Sequence, residues 1–449
     1  MGKRQPTKQP APLGKSPQAL QRDWPGIAME IWTGLFLVGY LLFPGLKGYR
    51  AISDAKTWTF FGLSMLLLAL GVWLLVRALG RGMLRPLTGP QWAALAFLIC
   101  TLISAALSDY SGAWYDKKAH EAALTVGLYV LLFLIVSRWG RPTERLFRVL
   151  LCEMAFFCVL CLFQAGGENP LGLYPGELNY YDGYGVQYNG AYAGTIGNVD
   201  FVSAFLALVT PMLVIRALGR RLREAWPCWI LAILCLTVLA WIRVLCGLAG
   251  LALGGVACLA VLCRDRDRNV ILPVLGGLAL IGLALLWALD PPIVFLHELH
   301  EILHGRPQDS FGTGRFYIWR QMLERVPDRL LFGVGPDMAR FSDLAPFVRY
   351  ENGVEVARAT ITDAHCYPLH ILYCQGLPAL LSWLALVGLI LRRWFKARTD
   401  PAVRVLGGGL VCFLCAMLFC PSSIIIMPFF WLAMGLLEAA AQPLPEPRL

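Results

Sequence analysis

The feature that most constrains this chain is a succession of long apolar runs. They begin near Ile27, Trp58, Trp92, Ala122, Val149, Val199, Trp229, Gly247, Val270, Pro368, Val403 and Ile424. At about 1.5 Å of rise per residue, a helix of about 20 apolar residues crosses the ~30 Å hydrocarbon core of a bilayer. Helix is the expected conformation because it satisfies its own backbone donors and acceptors where no water is present. With 57% hydrophobic and 15% charged residues and a mean hydropathy of +0.60, the sequence lies outside the range of soluble globular domains. The expected fold is therefore all-α, a polytopic integral membrane protein with about 12 transmembrane helices. Spans one to nine fall within residues 27–289, and spans ten to twelve within 368–440. The turn near Cys246 is the tightest connection. No internal repeat is evident.

Residues 1–26, basic and proline-rich, read as a disordered cytoplasmic tail, and 441–449 as a second. The formal charge of +10 invites nucleic acid as a partner, but the placement of the cations gives a simpler reason. With the amino terminus inside, 25 Lys/Arg fall on the inner side and 14 on the outer, eight of these in one long loop. That bias follows the positive-inside rule and calls for no nucleic acid. It also puts the long loop, residues 290–367, on the extracytoplasmic face, where short helices are expected within it. The 14 cysteines show no disulfide framework, and the close pairs Cys158/Cys161 and Cys412/Cys415 lie in apolar runs as packing residues.

Candidate chemistry concentrates in that loop. Thr313 is read as a helix N-cap, with Arg315 in the first turn of a helix running to about Arg325. A cation there opposes the helix dipole at about 0.3–1 kcal/mol, which an anionic ligand would offset. A guanidinium beside a helix start suits phosphate oxygens, since its fork donates parallel charge-assisted bonds. Arg320 lies further round the helix, with Glu324 at i+4 as an ordinary ion-pair partner. Arg243 sits near the outer end of the seventh span, where burial in hydrocarbon would cost about 2.5–3.5 kcal/mol unless it snorkels or serves a site. His365, preceded by Asp363 and followed by Pro368, stands at the mouth of the tenth span. Histidine is the side chain best suited to accept a proton near neutral pH. The outer loop from Gly166 to Asn198 has no Lys or Arg and many tyrosines, among them Tyr188 and Tyr192. Tyrosine presents a flat apolar face with a polar tip, which suits sugar rings as well as a membrane interface.

His300-Glu301-Ile-Leu-His304 has the H-E-x-x-H form of a zinc protease helix. Pro327 separates Glu324 from Asp328, the nearest source of a third ligand, and breaks the helix that would display them. The segment directly follows a span, where an amphipathic interfacial helix is the simpler expectation.

Arg315-x-x-x-Trp319, Pro327, Gly333-x-Gly335-Pro336 and Ala364-His365, opening a span that contains Gly376-Leu377, resemble the O-antigen ligase and Wzy-type polymerase family of bacterial envelope proteins. Gly194-Thr-Ile-Gly197-Asn198 resembles the family's segment at the start of a mid-chain span. The chain has His365-Cys366 where the family commonly has His-Asn, and Ile242-Arg243 where it has Ser-Arg. The resemblance implies transfer of a glycan from an undecaprenyl-diphosphate carrier to a hydroxyl of a glycan or lipid acceptor. It further implies inversion at the sugar, no metal and no cofactor, at the extracytoplasmic face of the inner membrane and in contact with membrane lipids. Arg315, Arg243 and Arg320 would bind the diphosphate, and His365 would deprotonate the acceptor. Tyr188, Tyr192, Asn198 and Trp319 would hold the glycan. Two alternatives stay open: a transporter or flippase of the same lipid-linked glycans, or a membrane zinc protease using His300, Glu301 and His304. Transporters place ionisable groups near the midplane of paired repeats, and here the distinctive charges lie in one loop. Ligase and polymerase share a donor, and the sequence does not separate them.

Overall fold

A computed structural model describes residues 24–118, 120–174, 193–351 and 354–442. The tail before residue 24, the tyrosine-rich stretch 175–192 that holds Tyr188 and Tyr192, and residues 443–449 lie outside the described residues. In chain order the helices are α1 (Trp24–Leu42), α2 (Ile52–Gly80), α3 (Gly89–Leu107), α4 (Ala123–Trp139), α5 (Glu144–Ala165), α6 (Val199–Leu218), α7 (Leu222–Ile242), α8 (Leu245–Leu262) and α9 (Asp265–Ala288). Then come α10 (Val294–Leu303), α11 (Phe311–Arg325), a hairpin of β1 (Phe347–Glu351) and β2 (Val354–Ala359), α12 (Tyr367–Gln375), α13 (Leu377–Lys396), α14 (Pro401–Ala416) and α15 (Met427–Ala441).

Among the described residues nine helices are long and apolar enough to cross a membrane: α1, α2, α3, α5 to α9 and α13. Three more apolar helices are shorter, α4 at 17 residues, α14 at 16 and α15 at 15. The protein is thus a helical, multi-pass membrane protein. The short helices lie at its centre, with α15 packed on α4 and α14 on α6 and α8. Small residues permit that approach. A Cβ on Gly254 would fall 2.5 Å from the Cα of Cys412, and one on Gly409 would fall 2.5 Å from the carbonyl oxygen of Leu208. Helices in lipid gain their contacts this way, since lipid tails are as apolar as leucine and drive no burial. By contrast, no residue in the spanning window of α9 is buried.

Two expectations need correction. The long connection between α9 and α12 carries a two-stranded antiparallel hairpin besides its short helices. The run beginning at Pro368 is two helices, α12 and α13, broken at Gly376 with φ 84° and ψ 176°. That conformation is essentially restricted to glycine, and a Cβ here would sit 2.3 Å from the Leu331 carbonyl oxygen. The backbone of residues 330–335 runs against the break: Val334 N–H donates to Tyr373 O at 3.2 Å, Gly335 N–H to Cys374 O at 2.8 Å, and Leu377 N–H to Leu330 O at 2.8 Å. The carbonyls at the end of α12 are therefore satisfied by this segment. Gly333, with φ 65°, leaves no room for a side chain, because its Cβ would lie 2.4 Å from Cys374 backbone. The Gly333-x-Gly335-Pro336 motif thus docks the loop against α12.

Candidate functional site

The docked segment delivers Asp337 to the buried face of α12. His370 of that helix lies between two carboxylates, Nε2 3.7 Å from Asp337 Oδ1 and Nδ1 3.3 Å from Asp363 Oδ2. Asp337 Oδ2 accepts the backbone N–H of Glu121 at 2.9 Å. The Glu121 carboxylate in turn accepts the Tyr129 hydroxyl at 2.7 Å. Ser422 donates to Asp363 Oδ2 at 3.3 Å. Glu121, Asp363 and His370 are all buried. Burial pushes the Glu121 carboxyl up to about 7, helped by the nearby negative charge of Asp337 and opposed by the hydrogen bonds of Ser422 and Tyr129. Burial likewise pushes Asp337 up to about 6, against the pull of His370. The sequence pattern had not singled out Glu121 or His370. Glu121 is separated from Asp337 by 216 positions, and nothing in either neighbourhood announces the pairing.

His365 stands on the edge of this cluster. Its backbone N–H donates to Asp363 Oδ1 at 2.6 Å, and its Nδ1 faces Asp363 O at 3.3 Å. A carbonyl oxygen only accepts, so that contact assigns the ring proton to Nδ1 and leaves the Nε2 lone pair available. The half-buried ring meets no partner at Nε2 among the described residues.

The indole Nε1–H of Trp319 donates to Ala364 O at 2.8 Å, tying α11 to the residue before His365. Arg315 lies one turn before Trp319. Thr313 is not the N-cap expected: it has φ 58° and ψ 39°, inside a left-handed stretch from Gly312 to Gly314, so its side chain cannot fold back onto the first turn. Instead its hydroxyl donates to Gly312 O and accepts from Arg315 Nη1 at 2.8 Å, while Nη1 also reaches Gly312 O at 2.8 Å. Arg315 Nε is buried with no partner among the described residues, and no carboxylate there neutralises the guanidinium. Arg315 is within electrostatic reach of the Cys246 thiol, which contacts Asp200 O at 3.8 Å; Cys420 contacts the same carbonyl at 3.5 Å and is within reach of Asp363. Arg315, the start of α6, the α7–α8 turn and the His365 segment are therefore neighbours.

Arg243 forms that turn as the left-handed C-cap of α7, φ 53°, exposed and without an ion-pair partner among the described residues. Asn198 caps α6, its Oδ1 accepting from Asp200 N at 2.8 Å and Phe201 N at 3.4 Å. Arg320 is exposed, ion-paired to Asp309 rather than Glu324 because the loop before α11 folds back, and it lies 5.8 Å over the Tyr317 ring. In the H-E-x-x-H segment, His300 Nδ1 is 2.7 Å from Leu286 O, His304 stacks on Trp287 with centroids 5.2 Å apart, and Glu301 pairs with Arg306 at 2.6 Å. The segment is thus a helix folded onto α9. Among the described residues no three or more His, Cys, Asp or Glu side chains converge as a ligand set.

Residues 229–384 match the family described as O-antigen ligase. The match covers the α7–α8 turn, all of α11, the hairpin and His365. No curated protein matches the chain.

Proposed function

We propose, on the premise of this O-antigen ligase match, that the protein transfers a glycan from a polyprenyl-diphosphate carrier to an acceptor hydroxyl, as an envelope glycan ligase or polymerase. The observation that supports the reading is Arg315, an un-neutralised guanidinium with a buried unpartnered Nε, on the helix whose Trp319 bonds the residue before a histidine whose Nε2 is free among the described residues. Breaking the bond between the anomeric carbon and the diphosphate leaves negative charge on the leaving group. Arg315 receives that charge, with Arg243 in the α7–α8 turn and Arg320 further out along α11. One preorganised donor of this kind is worth on the order of 10² to 10³ in rate. The acceptor oxygen attacks the anomeric carbon from the opposite face, inverting it, and its proton passes to His365 Nε2, worth about 10² to 10⁴. Trp319 ties α11 to the His365 segment, and Trp319, Asn198, Tyr188 and Tyr192 are the residues assigned to bind the glycan. In this reading no step requires a metal or cofactor, and the reaction takes place at the extracytoplasmic face of the inner membrane.

The test is transfer by purified protein from an undecaprenyl-diphosphate oligosaccharide to glycan or lipid acceptors. His365→Ala and Arg315→Ala are each expected to lower the rate by about 10²-fold or more. Arg315→Lys recovers little, because a point charge does not reproduce the fork. Added chelator leaves the rate unchanged. Normal transfer by both alanine variants, with intact folding, would overturn the assignment.

A further inference from the structure

A pocket of about 200 Å³ opens at the same end of the bundle, between the first turns of α2 and the connection from α3 to α4. One wall is aromatic. Trp58 and Tyr115 line the cavity and are exposed, at 63% and 40%. Phe61 braces both, with ring centroids 5.9 Å and 6.3 Å away. The rest of the lining is rich in acceptors, Asp54, Asp116 and His120, with Lys117 also lining the cavity.

The hydrogen bonding of His120 specifies what is missing. Thr57 Oγ1 spends its proton on Ser53 O at 2.8 Å, so at 3.3 Å from His120 Nδ1 it accepts. The ring proton is then on Nδ1, and Nε2 turns a lone pair toward Asp54 Oδ1, 4.0 Å away. Burial also holds His120 toward its neutral form, against the pull of Asp54 and Asp116. Two acceptors facing each other call for hydroxyl donors from outside. A small cation would answer the same need but meets the Lys117 ammonium. An array of hydroxyls with a flat C–H face, a pyranose, satisfies both parts of the lining at once.

The pocket adjoins the buried cluster. Asp116 is within electrostatic reach of Asp337, and Glu121, the residue after His120, donates its N–H to Asp337. We propose that this pocket is a sugar subsite, in which one pyranose ring stacks on Trp58 and Tyr115 while its hydroxyls donate to Asp54, Asp116 and His120. It holds a ring of the glycan apart from Arg315 and His365. The identity of the ligand rests on the glycan-transfer reading, so the test uses binding alone.

Full-length protein in nanodiscs is titrated with lipid-free hexose and N-acetylhexosamine mono- and disaccharides, and binding is read by saturation-transfer NMR and tryptophan fluorescence. Saturable binding is expected, weakened at least tenfold by Trp58→Ala and by Asp116→Asn, retained by Trp58→Phe, and unaffected by His365→Ala. In the transfer assay the same weakened variants raise KM for one glycan substrate and keep kcat. Absence of saccharide binding, or equal binding by wild type and by Trp58→Ala and Asp116→Asn, overturns the subsite and leaves the two rings as interfacial anchors. Binding at this pocket by a protein that transfers from no lipid-linked donor supports the subsite and sinks the transfer reading instead.

Discussion

Among the described residues four non-glycine positions have positive φ: Arg243, Thr313, Asp337 and His365. Such conformations cost of order 1–3 kcal/mol each and persist only where surrounding contacts hold them. Arg243 is held only as the helix cap, its N–H donating to Leu239 O at 3.3 Å, and the other three each have a further restraint. Thr313 bonds the Arg315 side chain, Asp337 accepts from Glu121, and His365 is held through its N–H by Asp363. In the proposed transfer reaction this makes Asp363 a positioning residue for His365. Asp363→Ala removes the acceptor that holds the His365 backbone and releases His370 on its other side. Misplacing a reacting group by about 1 Å costs on the order of 10²-fold in rate. Transfer by this variant is expected to fall about that far, with KM little changed, while Asp363→Asn, which keeps Oδ1 as acceptor, retains more. Equal rates for the two variants would remove the positioning role.

At the scale of elements, the break between α12 and α13 matters most. A continuous helix through Gly376 would leave residues 330–335 without backbone partners and would carry Asp337 away from His370. Gly376→Ala must adopt a conformation essentially restricted to glycine and place a Cβ 2.3 Å from the Leu331 oxygen. The expected loss is about 1–3 kcal/mol or more, read as a lower unfolding midpoint, with transfer reduced in the fraction that folds. A variant as stable and active as wild type would show that the close approach is not required. The hairpin adds a second anchor, since Phe347 of β1 packs against Tyr317 of α11 with centroids 5.6 Å apart.

Over the whole molecule, the three shortest apolar helices are central, and their length has a consequence. At about 1.5 Å per residue, helices of 15 to 17 residues fall short of a ~30 Å hydrocarbon core. The cluster of Glu121, Asp337, Asp363 and His370 lies beside the starts of α4 and α12. Its titration makes stability depend on pH. In the fold Asp337 keeps its proton up to about 6 and Glu121 up to about 7, both above ordinary carboxyl values, so the native state binds protons more tightly than the unfolded chain. The stabilisation from protonation is complete below about pH 4 and is lost as pH rises through about 6 and then about 7. The unfolding temperature is expected to fall between about pH 4 and about pH 7, and Glu121→Gln, which cannot ionise, flattens the upper part of that fall. Parallel curves for wild type and variant would exclude Glu121 as the titrating group.

The linear order of residues determined which stretches are helical and apolar and where the polar connection lies. Periodicity and run length are local properties, and hydrocarbon enforces them strongly because it leaves no backbone group unbonded. The left-handed turn at Thr313, the division of the tenth run at Gly376, the redirection of Arg320 to Asp309 and the assembly of Glu121 with Asp337 and His370 were decided only in three dimensions. Each depends on two backbones meeting far apart in sequence, and on charges whose worth is set by how much water the fold removes from around them.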